Sequence, residues 1–335
     1  MSASQRPLVA AAPTRLDFGG GWTDVPPYAE EQGGFVCNVA ITRYATARVG
    51  LTPPRVPGFA SPPAAASHLI DAALARHDRT DLTATLTSDF PVGAGLGGSS
   101  AAGVALTAAL RAFAGLDTTS HDARDAIAEE SRALEVEELG IAGGRQDHYA
   151  AAHGGALGIE FGARTVATRI ELSPIAAARL EAECIVAYSG ESRISADTIT
   201  AVLDAYRAHE PRVIAALDRM KTLARQMTDA LASGDIELLA ALVDEHWVHQ
   251  KALHPAITTD RINAIEGAAR AAGAIGLKAL GASGGGCVIV FAKSGEQKRV
   301  QSAIAPLSQV LPWRVAFDGV VVREETGVIR GLSHV

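Results

Sequence analysis

Apolar and polar positions change their spacing several times along the chain, and each change predicts an element. Leu82–Ser88 reads Leu-Thr-Ala-Thr-Leu-Thr-Ser, a strict alternation that predicts a half-buried strand. Residues 36–49 are rich in β-branched side chains and partly alternate, the character of paired strands, whereas the proline-rich run 53–63 can only be a loop. Residues 69–76 read as a helix, and further helices are expected over 99–114 and 121–139, the second with residues 118–120 as cap chemistry. Strands are expected at Ala156–Phe161, at 165–172 and at Cys184–Tyr188. From 196 to 272 the pattern is largely helical, and the amphipathic runs 213–231 and 236–253 suit helices packed on a sheet. Strands recur around 278–291 and at 313–322. This order of β-rich, helical and again β-rich segments predicts an α+β chain of two domains, 1–165 and 166–335.

The most informative polar interruption is Phe-Pro-Val-Gly-Ala-Gly-Leu-Gly-Gly-Ser-Ser-Ala-Ala, beginning at Phe90. Gly93, Gly95, Gly97 and Gly98 leave backbone N–H groups unshielded, and Ser99 and Ser100 stand where the alanine-rich helix begins. A glycine loop at a helix N-terminus is an anion site, because backbone amides and the positive end of the helix dipole face the ligand. A nucleotide's phosphates would lie there, with a serine hydroxyl available to Mg²⁺. The plainer reading is a flexible turn ahead of an ordinary helix cap. No Gly-Lys-Ser/Thr closes the segment and its spacing is not Gly-x-Gly-x-x-Gly, so neither a Walker loop nor a dinucleotide fold is indicated.

Composition narrows the function classes. The formal net charge of −7, with no block of Lys and Arg interleaved with aromatics, argues against nucleic acid as a partner. Three separated cysteines, Cys37, Cys184 and Cys287, suggest neither a disulfide framework nor a zinc site. No apolar run reaches the length of a membrane span, and the start of the chain lacks signal-peptide character. A soluble cytoplasmic protein acting on a small molecule is the expectation; the sequence does not fix the oligomeric state, and a homodimer is carried as a candidate.

Three segments together resemble the GHMP kinases. The loop Pro91, Gly93, Ala94, Gly95, Leu96, Gly97, Gly98, Ser99 and Ser100 is similar to that family's central motif. Near the N-terminus, Ala12 to Tyr28 joins Arg15 and Asp17 to the glycines Gly19, Gly20 and Gly21 and then to Trp22, Thr23 and Asp24. Near the C-terminus, Lys278 to Phe291 reads as two apolar strands around Gly281, Ser283, Gly284, Gly285 and Gly286, where an unbroken run of small residues implies close approach to the backbone. The resemblance implies a ribosomal-protein-S5-like N-terminal domain, a ferredoxin-like C-terminal domain, and an ATP- and Mg²⁺-dependent phosphotransferase.

Carried over by position, the resemblance makes Asp147 the group that activates the acceptor hydroxyl; Arg15 is by its chemistry suited to neutralise charge on the moving phosphoryl group, the plainer reading being a surface ion-pair residue. Glu135, twelve residues before Asp147, joins Ser99 as a Mg²⁺ ligand, with Ser100 an open alternative; the plainer reading of Glu135 is a solvated helix face beside Glu137 and Glu138. Substrate contacts are expected from Asp17, Gly20, Gly21, Thr23, Asp24, Tyr28, Arg145, Gln146, Arg193, Ser283, Gly284 and Gly285. His148 and His153 are read as structural. The 20–28 turn looks like the sugar 1-kinase branch, which phosphorylates an anomeric hydroxyl, with D-glycero-D-manno-heptose 7-phosphate kinases as the first reading and L-fucokinases or other free-monosaccharide 1-kinases as the alternative. A phosphorylated heptose would need cations, for which Arg145, Arg193 and Lys278 are candidates. A sugar- or nucleotide-binding protein without catalysis is the alternative of another class. Gly98 and Ser283 depart from the heptose kinase pattern, which usually has Ser at the first and Gly at the second.

Overall fold

The computed structural model describes residues 6–52, 64–141, 143–191 and 196–325. In chain order the elements begin β1 (Leu8–Gly19), α1 (Tyr28–Gln32), β2 (Gly34–Leu51), α2 (Ala64–Arg76), β3 (Leu82–Ser88), α3 (Gly98–Phe113) and α4 (His121–Ala133). A π-helical turn, Leu134–Glu138, prolongs α4. There follow α5 (Gln146–His153), β4 (Ala156–Phe161), β5 (Val166–Ile170), α6 (Pro174–Glu183), β6 (Cys184–Tyr188), α7 (Ala196–Arg207), α8 (Pro211–Ser233) and α9 (Ile236–Leu253). After a 3₁₀ turn at Pro255–Ile257 come α10 (Asp260–Ala271), β7 (Ala274–Ala279), β8 (Cys287–Ala292), α11 (Gln297–Ile304), β9 (Gln309–Leu311) and β10 (Val321–Glu324). The class is α+β.

Two antiparallel sheets organise the chain. The first runs β10-β1-β2-β4-β5, with β3 also on β2. β2 spans 18 residues, long enough to pair β4 along Gly34 to Val39 and β3 along Ala45 to Leu51 on the same edge. The second runs β7-β8-β6-β9. β8 is buried at every position because both faces are covered: Ile289 and Phe291 join Leu16, Phe18 and Val39 of the first sheet, whereas Val288 and Val290 pack with Val213, Leu217 and Trp247 of α8 and α9. The other face of the first sheet is covered by α3, whose Val104, Ala105, Ala108 and Ala109 are fully buried, together with α2, α4 and α5. No helix of the described residues is long and apolar enough to cross a membrane.

Several expectations are corrected. Residues 36–49 form one strand, not a pair, because β1, β3 and β4 supply the partners from elsewhere in the chain. The helix expected to 139 ends at Ala133 and unwinds into the π turn. Residues 313–322 contribute an isolated bridge, Ile41 to Val315, and only the start of β10. A cut at 165 falls between β4 and β5, which pair, and β10 brings the chain back to β1 of the first sheet. The pattern also missed β1, which carries Pro13 inside a strand. A register shift at Pro13/Thr14 accommodates it.

Candidate active site

The loop between β3 and α3 lines a cavity of about 590 Å³. Gly93, Gly95 and Gly97 adopt φ of 70°, 71° and 74°, a left-handed conformation open to glycine. Gly97 is the N-cap of α3 and no side chain caps the helix, so its first amides are left for a ligand, reinforced by the dipole of 16 residues. Gly98 is glycine for a local reason: a Cβ there would collide with the Phe90 ring. The C-terminal glycine run supports the loop from behind. Cys287 donates its N–H to the Ala94 carbonyl at 2.8 Å, and a Cβ on Gly95 would lie 2.8 Å from the Leu280 carbonyl oxygen.

The facing wall is built of side chains from β1, the turn after it and the start of α5. Arg15 is almost fully buried; its Nε donates to Asp147 Oδ1 at 2.7 Å and its Nη1 to the Gly95 carbonyl at 2.7 Å. Asp147, in the first turn of α5, stands directly against the phosphate-loop backbone, since a Cβ on Gly97 would lie 2.9 Å from its Cγ. Asp24 is buried beside Gly144 and accepts from the Gln146 N–H at 3.1 Å. Burial pushes its carboxyl up to about 6; the Gln146 amide opposes this, and the nearby Asp147 and Asp17 charges add to it. Asp17 Oδ2 takes the buried Lys278 ammonium at 3.0 Å, while its own buried Oδ1 has no hydrogen-bond partner among the described residues.

Glu135 enters from the π turn. Its Oε2 accepts from Ser100 Oγ at 2.9 Å and lies 3.0 Å from His148 Nε2. Burial alone would raise its pKa, but His148 and the hydroxyls of Ser99 and Ser100 outweigh burial and bring the carboxyl down to about 2. The carboxylate is thus ionised, and the exposed Ser99 hydroxyl sits next to it on the cavity wall. All-oxygen donors of this kind fit a hard divalent cation such as Mg²⁺. The solvated-face reading of Glu135 is excluded by its burial. His148, with Nδ1 3.1 Å from Ser131 Oγ, was read as structural but touches this carboxylate.

Pro91, Gly93 to Ser100, Arg15, Asp17, Gly21, Asp24, Glu135, Gln146 and Asp147 all line the one cavity. Other expected contacts do not. Thr23 spends its hydroxyl on the Gly20 carbonyl at 2.6 Å and on the Phe35 backbone. Tyr28 donates to Asp218 at 2.5 Å on α8, and Gly20 gives its N–H to His246 Nε2 at 2.9 Å. Arg145 lies 3.5 Å from Glu129, away from the cavity lining. Ser283, Gly284 and Gly285 are off the cavity; Gly281 and Ala282 line it instead. Ser283 has φ 73°, a conformation glycine adopts more readily. Lys278, a candidate phosphate cation, is fully buried and committed to Asp17. Arg193 lies outside the described residues. Sequence reasoning also missed Trp22, which lines the cavity with φ 80° and a buried indole N–H lacking any hydrogen-bond partner among the described residues. His246 was missed as well. Its signal was only a polar residue at a core position of α9.

Comparison with known proteins identifies the family. The chain matches the GHMP kinases N terminal domain over residues 64–155 and the GHMP kinases C terminal domain over residues 227–306. It is 26% identical over 305 residues to the D-glycero-alpha-D-manno-heptose 7-phosphate kinase of Campylobacter jejuni, covering 83% of this chain and 87% of that one. It is 24% identical to the bifunctional fucokinase/GDP-fucose pyrophosphorylase of Arabidopsis thaliana over 86% of this chain, but spans only 30% of that protein's length. The mevalonate kinase of Pyrococcus abyssi is 30% identical over 241 residues, 71% of this chain and 67% of its own. In fold, the chain superposes on a D-glycero-D-manno-heptose 1-phosphate kinase from Bacteriodes thetaiotaomicron with a TM-score of 0.71, at 21% identity, over 96% of this chain and 100% of that one. The chain therefore belongs to the GHMP kinase family of ATP-dependent phosphotransferases.

Proposed function

We propose that the cleft transfers the γ-phosphoryl group of ATP to the anomeric hydroxyl of a sugar, with D-glycero-D-manno-heptose 7-phosphate as the acceptor. The observation that carries the reading is the position of Asp147, paired to Arg15 and in contact distance of Gly97 at the mouth of α3. An acceptor hydroxyl on Asp147 and a phosphate on the α3 amides would then meet across a few ångströms. Phosphoryl transfer is mostly positioning and charge neutralisation, so little further machinery is required.

Each residue has a role in this reading. Asp147 accepts the hydroxyl proton as transfer completes. Arg15 orients Asp147 and, through the Gly95 carbonyl, ties the acceptor wall to the phosphate loop. The amides of Gly97 and Gly98 hold phosphate oxygens. Asp24, Gly21 and Gln146 hold the other sugar hydroxyls, and Asp17 stiffens the turn through Lys278. Glu135 with Ser99 would hold Mg²⁺, with Ser100 bracing the carboxylate; the ion would supply charge neutralisation on the nucleotide.

A second reading, a free monosaccharide as acceptor, is favoured by one observation. Among the described residues Arg15 is the only Lys or Arg on the cavity wall, and it is already engaged by Asp147 and Gly95. A sugar phosphate would have to recruit Arg193 or Arg145. The relatives named for heptose 7-phosphate and for fucose support the two readings respectively. Steady-state kinetics with Mg-ATP against a panel of free sugars and sugar phosphates separates them. A higher kcat/KM for the sugar phosphate, with KM raised roughly 10- to 100-fold in Arg193→Ala, supports the heptose reading. Preference for a free sugar overturns it, and phosphorylation at a non-anomeric carbon overturns both.

A further inference from the structure

His121, Asp125 and His153 form a cluster outside the cleft whose ligand atoms all lie within 4.8 Å of one another. His121 opens α4 directly after its N-cap Ser120, and Asp125 is one turn along on the same face. His153 is the last residue of α5. Asp125 stands between the two rings: its Oδ1 is 2.7 Å from His153 Nε2 and its Oδ2 is 3.5 Å from His121 Nδ1. The imidazole rings are 4.9 Å apart.

We infer that these three side chains form a binding site for a divalent transition-metal ion, Zn²⁺ by its chemistry, that joins the start of α4 to the end of α5. Two imidazoles and one carboxylate select zinc-like ions over Mg²⁺ or Ca²⁺, which take oxygen ligands. Ligands about 2.05 Å from a tetrahedral ion lie roughly 3.3 Å apart, so one ligand atom from each residue, all within 4.8 Å of one another, reaches that spacing by shifts of no more than about 1.5 Å. His153 is mostly buried and its ring is stacked on Tyr149, with centroids 5.9 Å apart and planes within 3°, which fixes its orientation. His121, with 63% of its side chain exposed, leaves a path for the ion and room for a water in the fourth position. An ordinary helix ion pair between positions 121 and 125 would have no use for the third ligand from another helix. Two cations stand nearby and limit the affinity: Arg124, held on the Ala152 and His153 carbonyls, and Arg169, which donates to the His153 carbonyl at 3.1 Å.

The site has structural leverage. The π turn bearing Glu135 prolongs the other end of α4, and Asp147 sits in the first turn of α5. An ion clamping the far ends restrains both helices without touching the cleft.

The test uses the untagged full chain, stripped of metal and held in saturating Mg²⁺ so that the cleft carboxylates are occupied. Zn²⁺ is titrated by calorimetry and Co²⁺ by its visible d–d absorption. One equivalent should bind with Kd below about 10 µM, and at about 100-fold excess over Kd should raise Tm by roughly 3–8 °C. His121→Ala, at an exposed position, keeps the fold and should weaken binding at least tenfold; Asp125→Asn should do the same. Absence of one-to-one binding in the wild type, or binding unchanged in His121→Ala, overturns the assignment.

Discussion

The cleft wall formed by residues 91–100 presents mainly backbone, whereas the wall formed by β1, the turn after it and α5 presents side chains. In the first, Gly93, Gly95 and Gly97 hold left-handed φ and α3 begins without a side-chain cap. In the second, Asp17, Asp24 and Asp147 crowd together, and two buried cations divide between them: Arg15 takes Asp147 and Lys278 takes Asp17. Among the described residues Asp24 receives no cation, and its carboxyl rises to about 6 through burial first. The first wall suits any phosphate, because amides recognise charge and little else. On the proposed function, choice of acceptor belongs to the second wall, and the two can be broken separately.

The largest separation comes from Asp147→Asn. Loss of the group that takes the acceptor proton should lower kcat by about 10²-fold or more while the affinity for ATP changes little. Measuring kcat by coupled assay and nucleotide Kd by calorimetry distinguishes the walls. A parallel loss of ATP affinity would show that Asp147 serves the phosphate side, which it touches at Gly97.

Glu135→Gln should act on the opposite wall, raising the half-saturating Mg²⁺ concentration about tenfold or more while leaving the sugar KM near its wild-type value. Ser99→Ala should shift it in the same direction by less. An unchanged Mg²⁺ dependence in Glu135→Gln would reduce that carboxylate to a brace for His148 and Ser100.

The two walls also differ in how far the chain's own pattern reveals them. The phosphate loop is contiguous, and glycine followed by an alanine-rich helix is a local signal, so its residues were legible. The acceptor wall is assembled from residues about 130 positions apart, and only its charged members stood out. Thr23 and Tyr28 sit in the same motif as Asp24, yet one turn closure and one helix contact consume their polar atoms. No local pattern distinguishes a hydroxyl spent on the fold from one left for a ligand. Lys278 and Arg15 look alike as isolated cations and both are buried; what separates them is that Arg15 lines the cavity and Lys278 lies off it. The single 18-residue β2 was read as two strands because alternation locates strands but not their partners.

Acid titration sharpens the contrast through Asp24. Its raised carboxyl should protonate as pH falls through about 6, which removes a hydrogen-bond acceptor for the sugar, whereas Glu135, brought down to about 2, stays ionised. The acceptor kcat/KM should therefore fall about tenfold per unit below pH 6, with Mg²⁺ affinity flat over the same range. For stability the sign is opposite. A carboxyl raised in the folded state costs stability that grows as pH climbs from 3.8 to about 6. In Asp24→Asn both dependences should disappear; an inflection near 6 that survives belongs to another group.

The smallest expected effect tests whether the phosphate wall is held from behind. Gly286 has φ 79°, lies off the cavity, and a Cβ there would lie 2.9 Å from the Ala94 carbonyl oxygen and 3.1 Å from that of Gly93. Both contacts are backbone, so the added carbon can be accommodated only by shifting the loop that carries Gly93 and Gly95. Gly286→Ala should then raise the ATP KM roughly fivefold, about 1 kcal/mol of displaced backbone, and lower Tm by a few degrees. The sugar KM should stay within about twofold, because Asp24 and Gln146 hang on the other wall. Equal increases in both KM values would mean that the walls move together, through the bond from Arg15 to the Gly95 carbonyl. A change confined to the sugar would assign the C-terminal glycine run to the acceptor after all.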